Sequence, residues 1–177
     1  MSSDAPAHRP VTRLRRGSWR DPAVLLVTGF GSGFLRPAPG TWGSIVALAL
    51  WWFLLAGLAW PWQLLTMGAV FVGGGLLTSV VGRRYGVHDD PGIVVDEFVG
   101  LWLTLLAVPA AWHTALAGFV VFRTIDILKP WPVSWADRRI PGAFGVMIDD
   151  VMAGGLAAGV LQLAFLVLGW PPSNGAP

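Results

Sequence analysis

Long apolar runs alternate with short polar junctions along this chain. Residues 37–82 contain no Asp, Glu, Lys or Arg, and neither do residues 98–122 or 151–177. Uncharged apolar runs of about 18 residues or more predict helices able to span a bilayer. The pattern predicts five such helices: about 45–60, ending at Pro61; 62–81; 95 or 96 to just before Pro109; 110–128; and 148–169, ending at Trp170-Pro171-Pro172. The fold class expected is an all-α integral membrane protein. A glycine- and proline-rich, re-entrant-like loop, Gly29 to Ser44, precedes the first helix, because that segment is too rich in both residues for regular helix. Residues 29–172 should form a single membrane-embedded domain between a basic tail, 1–28, and a short C-terminal tail, 173–177.

Composition agrees. The chain is 54% hydrophobic and 12% charged, against about 25% charged in an ordinary soluble domain. The basic N-terminus has no apolar core and no small-residue cleavage site, so it does not read as a secretory signal. Its arginines, Arg9, Arg13, Arg15, Arg16 and Arg20, suit a cytoplasmic tail meeting anionic lipid. With no cysteine in the chain, disulfides, zinc–thiolate sites and a cysteine nucleophile are excluded.

Charge position also predicts topology. If each helix crosses once, the tail, Arg83-Arg84, Lys129 and Arg138-Arg139 fall on one side, which should be the cytoplasm. The opposite turns, near Pro61 and Pro109, carry no Lys or Arg. Residues 98–122 admit a second reading, one long kinked helix, which would separate Asp96-Glu97 from Arg123-Asp126. The hairpin reading brings them together.

Eight of the ten acids lie between Asp89 and Asp150. Asp96-Glu97 should open the third helix and Asp149-Asp150 the fifth. Arg123, Asp126 and Lys129, spaced by three, share one face at the end of the fourth. Carboxylates gathered without histidine or thiolate suit a hard divalent cation, Mg²⁺ before Zn²⁺. Asp96, Glu97, Asp149 and Asp150 are the candidate ligands. Arg123 and Lys129 beside them can hold a phosphate, one as a fork and one as a point charge. Asp126 would orient one of those cations or add a ligand. Simpler accounts exist for each group, since acids at a helix start cap it and an Arg-Asp-Lys face can be a salt-bridge ladder. Adjacent pairs of acids twice over, in a chain so poor in charge, exceed what capping needs. Asp89, Asp90 and His88 read as an exposed loop.

The loop ending in Arg36-Pro-Ala-Pro39-Gly40-Thr41-Trp-Gly43-Ser44 lacks the lysine of a phosphate-binding P-loop. It still offers backbone N–H groups at a helix start, with Arg36, Thr41 and Ser44 as polar contacts. Its glycines serve tight packing equally well.

Four motifs in order, GSGFLRPAPGTWGS, DDPGIVVDEFVG, FRTIDILKPWP and GAFGVMIDDVMAG, resemble the phosphatidylglycerophosphatase A family from about Gly29 to Gly155. The resemblance implies a bacterial inner-membrane, Mg²⁺-dependent lipid phosphatase that converts phosphatidylglycerophosphate to phosphatidylglycerol. The family's acidic motifs fall on Asp96, Glu97, Asp126, Asp149 and Asp150. Pro91-Gly92 stands where members often have Gly-Ser, a change that leaves the acids in place.

The expected chemistry is phosphoryl transfer to water near the cytoplasmic interface, either directly or through an aspartyl-phosphate. Membrane lipid is the expected partner, and nucleic acid is not. Two rivals remain. A CDP-alcohol phosphotransferase would carry a D-x-x-D-G-x-x-A-R pattern absent here. An ion transporter would need acids at mid-membrane and on the far side.

Overall fold

The computed structural model describes residues 14, 16–87, 90–106 and 108–169. Among these there is no strand, and seven α-helices form: α1 (Pro22–Val27), α2 (Pro39–Leu50), α3 (Trp60–Tyr85), α4 (Val95–Leu106), α5 (Trp112–Leu128), α6 (Val133–Arg139) and α7 (Ala143–Leu168). A π-helical turn, Trp51–Leu55, prolongs α2. Helices α2, α3, α4, α5 and α7 overlap the five apolar segments, and α1 and α6 are short additions.

Helices α3 and α7, 26 residues each, are long and apolar enough to cross a membrane. A core helix of a soluble protein would be mostly buried, whereas only 28% and 22% of their most apolar windows are. Their outer faces carry exposed Leu64, Leu65, Val72 and Leu76 on α3, and Leu163, Leu166 and Val167 on α7. Exposed tryptophans occur in two groups. Trp52, Trp60, Trp62 and Trp112 surround the α2–α3 and α4–α5 turns, while Trp19, Trp42, Trp131 and Trp135 surround the opposite end.

α4 is the central helix, packed against α2, α3, α5 and α7. Ten of its twelve residues are buried, including Asp96 and Glu97. Trp102 Nε1 ties it to α2 by donating to the Ala47 carbonyl at 2.8 Å. Residues 95–128 form a hairpin. A Cβ on Gly118 would sit 2.7 Å from Leu105, and one on Gly100 2.6 Å from Phe122, while Glu97 bonds Arg123. Those pairs run antiparallel, so both charged ends lie at the same end of the fold.

Three sequence-based boundaries need correction. α7 begins at Ala143, not Ile148, because the chain breaks at Gly142 (φ 84°) and the residues after it are all compatible with helix. Asp149-Asp150 therefore stand in its second turn and cap nothing. α2 begins at Pro39, so 39–44 is helix despite its composition; proline suits a first helical turn, where its missing N–H is not needed. The folded body also starts earlier than residue 29. Val24 and Val27 of α1 are fully buried, and the Val27 carbonyl accepts from Val94 N at 2.8 Å. The rest of the expected tail, 1–13 and 15, together with His88, Asp89 and residues 170–177, lies outside the described residues.

Candidate active site

The acids converge because two helices touch at backbone distance one turn below them. A Cβ on Gly154 of α7 would lie 2.2 Å from the Gly100 carbonyl oxygen, and one on Gly100 of α4 2.6 Å from that of Asp150. Thr104 Oγ1 donates across the contact to the Gly154 carbonyl at 3.2 Å. Asp96 precedes Gly100, and Asp150 precedes Gly154, by one helical turn each. The two helices run in the same direction, so their acids reach one level.

Above that contact opens a cavity of about 730 Å³. Seven carboxylates line it, from Asp90, Asp96, Glu97, Asp126, Asp137, Asp149 and Asp150, against two cations, Arg83 and Lys129. A phosphate entering so acidic a space meets repulsion unless cations screen it.

Most of the acids are already compensated. Arg123 pairs with Glu97 and with Asp126, the latter at 2.9 Å. Ser44 Oγ donates to the same Glu97 carboxylate at 2.8 Å. Gly40 leaves room for this group, since a Cβ there would come within 2.2 Å of Glu97 Oε1. Lys129 Nζ donates to Asp137 at 2.5 Å and to Asp149 at 2.6 Å. The hydrogen bond from Lys129 holds the Asp137 carboxyl below its usual range. Burial alone would lower the Lys129 pKa, but its bonds to Asp137 and Asp149 raise it above the ordinary lysine range.

Asp96 and Asp150 differ. Both are buried, at 7% and 4% exposure, and neither forms an ion pair among the described residues. Among the described residues, Asp96 Oδ1 accepts only from the Glu97 amide, at 3.0 Å. Asp150 Oδ2 is buried with no hydrogen-bond partner. An unpaired buried carboxylate oxygen is costly, and a cation is what its chemistry calls for. Among the described residues no group of three or more His, Asp or Glu side chains is placed to hold a metal ion. Mg²⁺ does not require one: it is commonly held by one or two carboxylates, with water and substrate phosphate completing its shell. The residues present therefore fit Mg²⁺ as a pair, Asp96 and Asp150.

The structure thus divides the residues singled out in the sequence. Asp96, Glu97, Asp126, Lys129, Asp149 and Asp150 line one cavity. Arg123 and Ser44 lie behind it, engaged with Glu97. Arg36 is exposed on the preceding loop and Thr41 is half-buried in the first turn of α2; neither lines the cavity. The glycines of that segment serve packing: Gly40 faces Glu97, and Gly43 lies against Val94. Asp90, Asp137 and Arg83 were not foreseen as site residues; Asp90, expected on an exposed loop, is half-buried and lines the cavity. The α3 signal was legible, since Thr78, Ser79, Gly82 and Arg83 fall on one helical face. Asp137 depended on the chain reversal at 129–133, which no periodicity encodes.

Comparison with known proteins matches residues 25–165 to the family described as phosphatidylglycerophosphatase A. The chain is 43% identical to the phosphatidylglycerophosphatase A of Escherichia coli (strain K12), over 94% of this chain and 95% of that one. It is also 43% identical to that of Haemophilus influenzae over 79% of this chain and 86% of the other. A protein of Bacteroides thetaiotaomicron named as a putative phosphatidylinositol-3-phosphatase is 38% identical over 82% of this chain and 95% of its own. No solved structure matches. With the family match covering most of the chain and both ends of the cavity, the chain belongs to the phosphatidylglycerophosphatase A family.

Proposed function

We propose that this chain removes the terminal phosphate of phosphatidylglycerophosphate, leaving phosphatidylglycerol and inorganic phosphate. The site would face the cytoplasm from a multi-pass fold in the bacterial inner membrane. The observation that carries this reading is the pair Asp96 and Asp150, buried without a counter-ion in an acid-lined cavity large enough for a phosphorylated headgroup. The two relatives at 43% identity are named for the substrate proposed here, and the third is named as a putative phosphatidylinositol-3-phosphatase.

Asp96 and Asp150 would hold Mg²⁺. When bound, that ion supplies neutralisation of the phosphate's charge and polarisation of the attacking water. The chain's own groups do the rest. Arg123 fixes Glu97 and Asp126 and offsets their charge beside the Asp96–Asp150 pair. Lys129 lines the cavity and is partly exposed, so it can turn from Asp137 toward a phosphate oxygen as a point charge. Water adds its oxygen to phosphorus, the bond to the glycerol oxygen breaks, and that oxygen leaves protonated.

Membrane placement is supported by the two belts of exposed tryptophan, since that residue gathers at both membrane–water interfaces. The cavity lies at the end bearing Arg83, Arg84, Lys129, Arg138 and Arg139, the side that the positive-inside rule assigns to the cytoplasm. The acids among the described residues lie at one end, which gives an ion no path across and counts against a transporter. The test is phosphate release from phosphatidylglycerophosphate by the purified protein in detergent, with Mg²⁺ and with EDTA. Release that stops in EDTA is expected; no release with Mg²⁺ present would remove the phosphatase reading.

A further inference from the structure

The substrate proposed above carries two phosphates, and the carboxylate end of the cavity accounts for one. Its terminal phosphomonoester is separated by a glycerol unit from the phosphodiester that joins it to diacylglycerol. The cavity, at about 730 Å³, is of the size that encloses a drug-like ligand and exceeds what one phosphate fills. The three cations in or behind its wall behave differently. Lys129 is shared between Asp137 and Asp149, and Arg123 behind the wall is committed to Glu97 and Asp126. Arg83 lines the cavity, is exposed, and has no carboxylate partner among the described residues.

We propose that Arg83, with Thr78 on the same wall of the cavity, forms a second anion subsite for the phosphodiester of the substrate, and so selects a diester-linked headgroup. This rests on the phosphatase reading. Three observations support it. Arg83 stands in the last turn of α3, a helix able to span the membrane, which sets it at the depth where lipid phosphodiesters lie. Its guanidinium is a planar fork suited to phosphate oxygens. Five residues deeper along α3, the Thr78 hydroxyl is buried, at 8% exposure for the residue, and has no hydrogen-bond partner. A helical Ser or Thr commonly bonds back to the carbonyl four residues earlier, as Ser79 does to Gly75 at 2.9 Å. Thr78 does not, and it lines the same wall.

The test uses the full chain in mixed micelles. KM and kcat are measured for phosphatidylglycerophosphate, together with the constant at which glycerol 3-phosphate competes. Glycerol 3-phosphate carries the phosphomonoester but neither the diester nor the lipid anchor. Arg83→Gln should raise KM for phosphatidylglycerophosphate roughly tenfold or more, the scale of one charge-assisted bond. It should leave kcat within about twofold, leave the glycerol 3-phosphate constant unchanged, and be partly rescued in Arg83→Lys; Thr78→Val should move KM in the same direction by less. An unchanged KM in Arg83→Gln overturns the proposal. So does an equal loss for both ligands, which would make Arg83 part of the monoester site. If the wild type hydrolyses no lipid with Mg²⁺ present, the phosphatase reading itself falls, and the subsite with it.

Discussion

Gly100 and Gly154 meet at a distance that no side chain tolerates: a Cβ on Gly154 would lie 2.2 Å from the Gly100 carbonyl oxygen. The contact sits one turn beneath Asp96 and Asp150 and sets their separation. Its neighbour Gly155 has nothing within 4 Å of a Cβ. Gly154→Ala should therefore force α4 and α7 apart. Overpacking of this kind costs about 1–3 kcal/mol, and activity should be lost along with stability. Gly155→Ala, one residue on, should be neutral or slightly stabilising, since Ala is favoured over Gly within a helix by about 0.5–1 kcal/mol. Thermal unfolding in detergent compares them; equal melting of the two variants would contradict the account.

Arg123 and Glu97 are a buried pair, with side chains 12% and 10% exposed. Removing one member of such a pair leaves an uncompensated charge and costs about 3–5 kcal/mol. Arg123→Met should destabilise by that order. Arg123→Met combined with Glu97→Gln should recover much of the loss, because the charge left behind is gone. Thermal unfolding of the two variants checks this. A double variant no more stable than Arg123→Met would mean that Arg123 acts mainly on Asp126.

Much of this arrangement is legible in the sequence. Charge-free runs mark an all-helical fold with the two long apolar helices α3 and α7, and the acids at residues 96–97 and 149–150 announce a shared level. The hairpin was one of two readings until the Gly118–Leu105 and Gly100–Phe122 contacts decided it. What stayed hidden depended on tertiary packing. Proline and glycine at 39–44 suggest a loop, yet those glycines are helical and admit Glu97 and Val94. The sequence also could not tell which acids would find cations. Arg123 and Lys129 read as phosphate clamps, but in the fold they neutralise Glu97, Asp126, Asp137 and Asp149, and leave Asp96 and Asp150 as the open pair.

Asp21 binds α1 to the end of α3, and its contribution should depend on pH. It caps α1 by accepting from Ala23 N at 2.9 Å, and it accepts from Arg84 and from Tyr85 Oη, the latter at 3.0 Å. The bond from Arg84, then that from the Ala23 amide, lowers its pKa. A carboxylate with a lowered folded-state pKa stabilises fully above its unfolded value, about 3.9. That contribution is lost as pH falls through the lowered value. Hydrogen exchange of the α1 amides should therefore be protected evenly from neutral pH to about pH 4 and less below it. Asp21→Asn keeps a capping side chain but loses the charge, so its protection should be lower and flat with pH. A wild-type profile that stays flat through acid would show that the ion pair contributes nothing.

The most direct measurement is phosphate release from phosphatidylglycerophosphate as Mg²⁺ is titrated, for the wild type beside Asp150→Asn. The wild type should turn over only when the ion is present. Asp150→Asn, with folding checked by thermal unfolding, should lose more than about 100-fold, beyond the 10–100-fold typical of groups that merely support a metal ligand. Wild-type turnover that persists in EDTA, or a folded Asp150→Asn with undiminished turnover and Mg²⁺ dependence, would contradict the assignment of Asp96 and Asp150 as the cation-holding pair.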